Sequence, residues 1–148
     1  MNSTLPAPDA GPVRARVFSI VLCSYVLAAA AMAVLAAFPG ILLDGASAEK
    51  ATVMRVAMVT AAVTGGAIAF GGWRRARWTR ALALGVHAVI AGVALTGLVA
   101  CLVGSPMLGG NPWELAAKAG AHLGALWLWA TAWVRRQFAG RRTGTASA

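Results

Sequence analysis

Charge is scarce in this chain of 148 residues. Only 11% are Asp, Glu, Lys or Arg, where a soluble domain carries about 25%. Acidic residues are scarcest: Asp9, Asp44, Glu49 and Glu114 are the whole set, and none sits deep in an apolar stretch. That argues against a proton-coupled exporter of the small multidrug type, which relies on a membrane-embedded carboxylate. No Ser-His-Asp arrangement, HExxH or phosphate loop occurs, so the chain lacks the parts of the common hydrolases and nucleotide enzymes. The two cysteines, Cys23 and Cys101, form no CxxC pair, which disfavours a disulfide oxidoreductase. Counted along their helices they differ in depth by roughly 20 Å, against a limit of about 7 Å for a disulfide. They are expected as buried small apolar residues. Only two histidines are present, short of the three or four ligands zinc takes.

What the chain has instead is hydrocarbon. Hydrophobic residues make up 59% of it, and the mean hydropathy is +0.73. Four long apolar stretches cover residues 17–38, 52–72, 81–103 and 113–134. Each reaches the length of about 20 residues that crosses a bilayer core. The expected fold is therefore an all-α membrane protein, a four-transmembrane-helix bundle occupying residues 14–138. Residues 1–13 and 139–148 are expected as disordered tails. The first stretch exceeds the roughly 7–15 apolar residues of a signal peptide and is read as an uncleaved helix. The two halves look like loosely similar hairpins, with no long internal repeat.

The arginines set a direction. Ten cations lie before the first stretch, between the second and third, and after the fourth: Arg14, Arg16, Arg74, Arg75, Arg77, Arg80, Arg135, Arg136, Arg141 and Arg142. Three lie on the other side, Lys50, Arg55 and Lys118. The positive-inside rule makes the arginine-rich side cytoplasmic, with both termini inside. The net charge of +9 forms no stripe on a soluble face. It implies anionic lipid head groups as a partner and not nucleic acid. Arginine in place of lysine, with much alanine and glycine, matches a GC-rich bacterial genome, so the expected location is a bacterial plasma (inner) membrane. Trp73, Trp78, Trp113 and Trp133 fall near the predicted interfaces. Pro39-Gly40 reads as a helix stop. Asn111 is expected to cap the fourth helix, with Pro112 in its first position and Glu114 in its first turn.

Helix association in lipid depends on close contact between small residues. The second helix offers Ala57, Ala61, Gly65 and Ala69, with Gly66 alongside. The third offers Ala81, Gly85, Ala88, Gly92 and Thr96, and the fourth Ala116, Gly120 and Gly124. These stripes are expected to pack the bundle. Those carrying Gly65, Gly85, Gly92, Gly120 and Gly124 are also candidate surfaces for a membrane partner or a second copy.

Ionisable residues inside a membrane are functional candidates. Glu114, Lys118 and His122 step by four and so share a helical face, which Trp129 and Trp133 continue. With Arg55 they could line an outer-facing pocket for an anionic or quinone-like head group. Against this, Lys118 and Arg55 can snorkel and pair with Glu114, Glu49 or Asp44. A haem between His87 and His122 requires similar depth. Counting from the predicted helix ends leaves the two about 9 Å apart along the bundle, which argues against it. No cofactor is expected. Thr60, Thr64 and Thr96 are expected to bond their own backbone one turn back.

The segment FPGILLDGASAEKATVMRVAMVTAAVTGGAIAF resembles the DoxX-like four-helix proteins of bacterial membranes. In these a first helix ends near a proline, and a second opens with arginine before a glycine-rich stretch. Pro39, Arg55, Gly65 and Gly66 hold those places here, in the first half of the chain. The resemblance implies a four-helix fold and an accessory role beside membrane redox complexes. It does not imply a particular reaction. The expected function is that of an interaction or accessory subunit, not an enzyme. The alternatives are a carrier of a small amphipathic molecule at the outer pocket (Arg55, Glu114, Lys118, His122, His87) and a haem-bearing redox subunit.

Overall fold

The computed structural model describes residues 11–38, 45–104 and 111–139. All regular structure among them is helical: α1 Pro12–Ala37, α2 Ala48–Trp73, α3 Arg77–Leu102, α4 Pro112–Ala130 and α5 Ala132–Phe138. Three of these, α1, α2 and α3, are long and apolar enough to cross a membrane. Each has 26 residues, about 39 Å of helix against a hydrocarbon core of about 30 Å.

The first three helices start four or five residues ahead of the apolar stretches that predict them. Hydropathy changes at the membrane interface, but a helix ends where its terminal backbone groups find partners. Pro12 occupies the first turn of α1, where its missing N–H costs nothing. Ser47 caps α2, its hydroxyl accepting from the Lys50 N–H at 3.4 Å, and Glu49 adds charge to the first turn. Asn111 caps α4 as expected, its side chain accepting from the Trp113 N–H at 3.0 Å, with Pro112 and Glu114 following. Trp73, Trp78 and Trp113 all lie within two residues of a helix end and are exposed. The predicted stop at Pro39-Gly40 and the tails 1–10 and 140–148 lie outside the described residues.

The chain divides into two compact units, Met1–Arg74 and Arg75–Ala148. In the first, α1 and α2 form an antiparallel hairpin. A Cβ placed on Gly65 would stand 3.4 Å from the Ala29 Cβ and 3.6 Å from the Tyr25 carbonyl oxygen. Gly65 is thus a point of close approach between the two backbones. Seven residues on, a Cβ on Gly72 would collide with the Leu22 side chain. Leu22, Ile68 and Ala69 are buried between the helices. Gly66, beside Gly65, has nothing within 4 Å of its Cβ position.

In the second unit α3 and α4 are antiparallel. The buried face of α3 is Thr79, Ala83, His87, Ala91, Ala94 and Gly97. This corrects the expected stripe. Ala81, Gly85, Ala88, Gly92 and Thr96 are all exposed, and neither glycine has anything within 4 Å of its Cβ position. The third helix carries two small-residue stripes, and α4 packs on the one that holds its histidine. Gly97 receives the Leu115 side chain, whose Cδ2 lies 3.3 Å from where a Cβ would be. Gly120 and Gly124 have no such neighbour.

The predicted fourth helix does not run unbroken to residue 134. It stops at Ala130, and Thr131 turns out of helical geometry at φ −57°, ψ 148°. Its hydroxyl donates to the Leu128 carbonyl at 2.6 Å, taking up one acceptor that the break releases. The short α5 then brings Phe138 onto Trp129, ring centroids 5.9 Å apart. Trp129, Val134 and Phe138 are buried as a result. Cys23 is exposed on α1 and Cys101 is half-buried, so the expectation of two buried cysteines fails for Cys23.

The adjacent glycines of α2 should respond oppositely to the same substitution. Gly65→Leu has to push α1 away and should cost about 1–3 kcal/mol. Gly66→Leu meets open space and should leave thermal unfolding unchanged or raise its midpoint, since leucine favours helix over glycine. Equal effects would contradict the described contact between α1 and α2.

Candidate functional site

The heart of the second unit is a pair of imidazoles. His87 Nδ1 and His122 Nδ1 lie 2.7 Å apart, with ring centroids at 5.0 Å and planes tilted by 41°. His87 is buried at 8% exposure and His122 is half-buried. At this separation one Nδ1–H donates and the other Nδ1 accepts, so the two rings hold different protonation states or tautomers. A pair carrying one extra proton can share it across the same contact. A doubly protonated pair has no acceptor and cannot bond.

The expected depth offset between the two histidines is therefore wrong. Its source is the placement of the helix ends. Counted from Arg77, where α3 begins, His87 lies about 15 Å along. Counted from Ala130, where α4 ends on the same side, His122 lies about 12 Å along. The break at Thr131 and the early start of α3 bring the rings level.

A second contact fixes the same register. Arg80 Nε donates to the Trp129 carbonyl at 3.0 Å. Arg80 precedes His87 by seven residues and Trp129 follows His122 by seven. Seven residues is the spacing at which packed helices repeat their contacts. The Trp129 carbonyl takes this donor two residues before the helix breaks at Thr131.

Of the other expected site residues, Glu114 and Lys118 are exposed in the first turns of α4 and do not join the imidazoles. A strict step of four drifts about 40° around the helix at each step. The side of α4 against α3 instead steps through Leu115, Ala119, His122, Leu126 and Trp129, all buried or half-buried. Of the expected face, only His122 and Trp129 belong to this row. Arg55 belongs to the first unit, where its Nε donates to the Ala36 carbonyl at 3.0 Å. It lines a groove of about 370 Å³ with Thr52, Val56, Val59 and Thr60, all from α2. Arg55 therefore caps the end of α1 instead of pairing with Glu49. Thr96 bonds back to the Gly92 carbonyl at 2.9 Å, as expected of a membrane threonine.

In the sequence Arg80 counts only as a topological charge. The signal for its contact is the seven-residue spacing of Arg80 with His87, matched by that of His122 with Trp129. Among the described residues no group of three or more His, Cys, Asp or Glu gathers to hold a metal ion. Compared with family models, curated proteins and solved structures, the chain matches none of them.

Removing one ring leaves the other polar and unsatisfied, whereas removing both does not. His87→Leu and His122→Leu should each lower the unfolding free energy by about 1–3 kcal/mol. The double variant should cost clearly less than the two singles together, by a coupling of about 0.6–1.7 kcal/mol. Simple additivity in a denaturation series in detergent would contradict the bond.

Proposed function

We propose that this chain is a four-span protein of a bacterial plasma membrane that serves as an interaction or accessory subunit of a larger membrane assembly. The observation carrying this is the outward small-residue surface of α3 and α4. Gly85, Gly92, Gly120 and Gly124 are exposed, with nothing within 4 Å of their Cβ positions. Glycine facing acyl chains gains nothing from them. A second helix can approach its backbone closely, and small residues are enriched where membrane helices meet. The histidine pair and the Arg80 contact hold α3 and α4 in one register, which keeps these faces in a fixed relation. An accessory role is also what the DoxX-like resemblance implies.

Support for α4 as a fourth span comes from its partner. Contacts with α3 run from Arg80 and Trp129 to Gly97 and Leu115, about 26 Å of α3. A helix matched to a membrane span over that length shares its depth. An even number of spans, with ten cations on one side and three on the other, supports both termini in the cytoplasm.

A haem-bearing redox subunit is the second reading, favoured by the level placement of His87 and His122. In that reading each ring would lend one nitrogen to the haem iron, so the two rings, 2.7 Å apart at Nδ1, would have to part to admit it. A Soret band in the purified protein would establish this reading.

Substituting leucine at both Gly120 and Gly124 should leave helix content unchanged and abolish association, read as mass in mild detergent. A wild-type protein that is strictly monomeric and partnerless, with turnover of its own, would sink the accessory reading.

A further inference from the structure

The first unit carries an open groove of about 550 Å³ between α1 and α2. Its floor and walls are Ala29, Ala33, Gly66 and Ala69, and one end is framed by Phe70 and Trp73. Phe70 and Trp73 are 59% and 65% exposed. Directly after Trp73, the Arg74 guanidinium lies over the Phe70 ring, 4.9 Å from its centroid. A cation–π contact of this kind holds the cation in place at the mouth.

We propose that this groove binds an anionic phospholipid of the leaflet on the Arg74 side, one acyl chain lying in the trough and the phosphate paired with Arg74. Length supports this occupant. From Ala62 to Trp73 the groove follows about 17 Å of α2, close to the 15 Å or so of one leaflet's hydrocarbon. Chemistry supports it too. Apart from the indole N–H of Trp73, the lining side chains are all apolar, so the body of the ligand is hydrocarbon. The polar recognition is concentrated at the mouth, where Arg74 offers a fork of donors suited to phosphate.

The two adjacent glycines divide the labour. Gly65 admits α1, and Gly66 leaves the floor of the groove open. Gly66→Leu should therefore fill the trough without disturbing the hairpin. The proposal rests on the membrane placement of α1 and α2 and is independent of the accessory reading, whose test lies on α3 and α4.

The full-length protein is exchanged into detergent micelles containing equal amounts of dioleoylphosphatidylglycerol and dioleoylphosphatidylcholine, and retained lipid is counted by native mass spectrometry. The expected result is one tightly retained phosphatidylglycerol. Gly66→Leu should remove it. Ala33→Leu, on the opposite wall, should do the same and keeps the test alive if the first variant misfolds. Arg74→Gln should erase the preference for phosphatidylglycerol, about fivefold for one cation at an anionic lipid, while a chain is still retained. Arg77→Gln, which is not part of the groove lining, should change nothing. The proposal is overturned if the filled variants fold and retain lipid as before, or if wild type holds both lipids equally. It is equally overturned if Arg77→Gln matches Arg74→Gln, or if a co-purifying protein occupies the groove.

Discussion

A polar atom buried among hydrocarbon has no water to fall back on, and this one constraint organises both units. Its clearest expression is a device used twice. Each hairpin buries the penultimate residue of a helix that an arginine of the partner helix reaches, Ala36 in α1 and Trp129 in α4. Carbonyls in the last turn of a helix run past the end of its own N–H ladder. In each case an arginine near the start of the antiparallel partner donates its Nε to that carbonyl, Arg55 to Ala36 and Arg80 to Trp129, both at 3.0 Å. The cation also meets the negative end of the helix dipole. His87 and His122 obey the same rule in mid-helix, each imidazole serving as the other's partner. Thr79 is the exception: its buried hydroxyl has no hydrogen-bond partner among the described residues.

Satisfying these groups selects the packing. Two small-residue faces on α3 were equally available for close contact. The face that carries His87 turned inward, because a lone imidazole against acyl chains would be left unbonded. The glycines on the opposite face remained outside. Interior and exterior were thus sorted by one polar residue, not by small-residue content. In the first unit, which has no such pair, the sorting falls to Gly65 and Leu22, where the helices can approach or must interlock.

The long helices were legible because their signal is length and hydropathy, which twenty residues average well. The caps at Asn111 and Pro112 were legible because they are local. What escaped the sequence were the places where a distant partner decides. Nothing in the run from Trp113 to Val134 marks a break at Thr131, since threonine is tolerated inside apolar helices. Only Arg80 waiting for the Trp129 carbonyl, and the burial of Phe138 against Trp129, make the break favourable. Placing the helix ends a few residues off then displaced the two histidines by about 9 Å of helical rise. The face shared by Glu114, Lys118 and His122 failed for a related reason. Its step of four suits a single helix, whereas two helices in contact follow steps averaging 3.5.

The direct contact between the two imidazoles is the point on which this account turns, because it makes the histidines partners and not separate ligands. Nuclear magnetic resonance of the full-length protein in bilayers, with ring nitrogens of histidine labelled, reads that contact directly. The account predicts a through-bond coupling linking the Nδ1 atoms of His87 and His122, lost when either is replaced. Two uncoupled histidine signals, each matching a solvent-exposed imidazole, would contradict it.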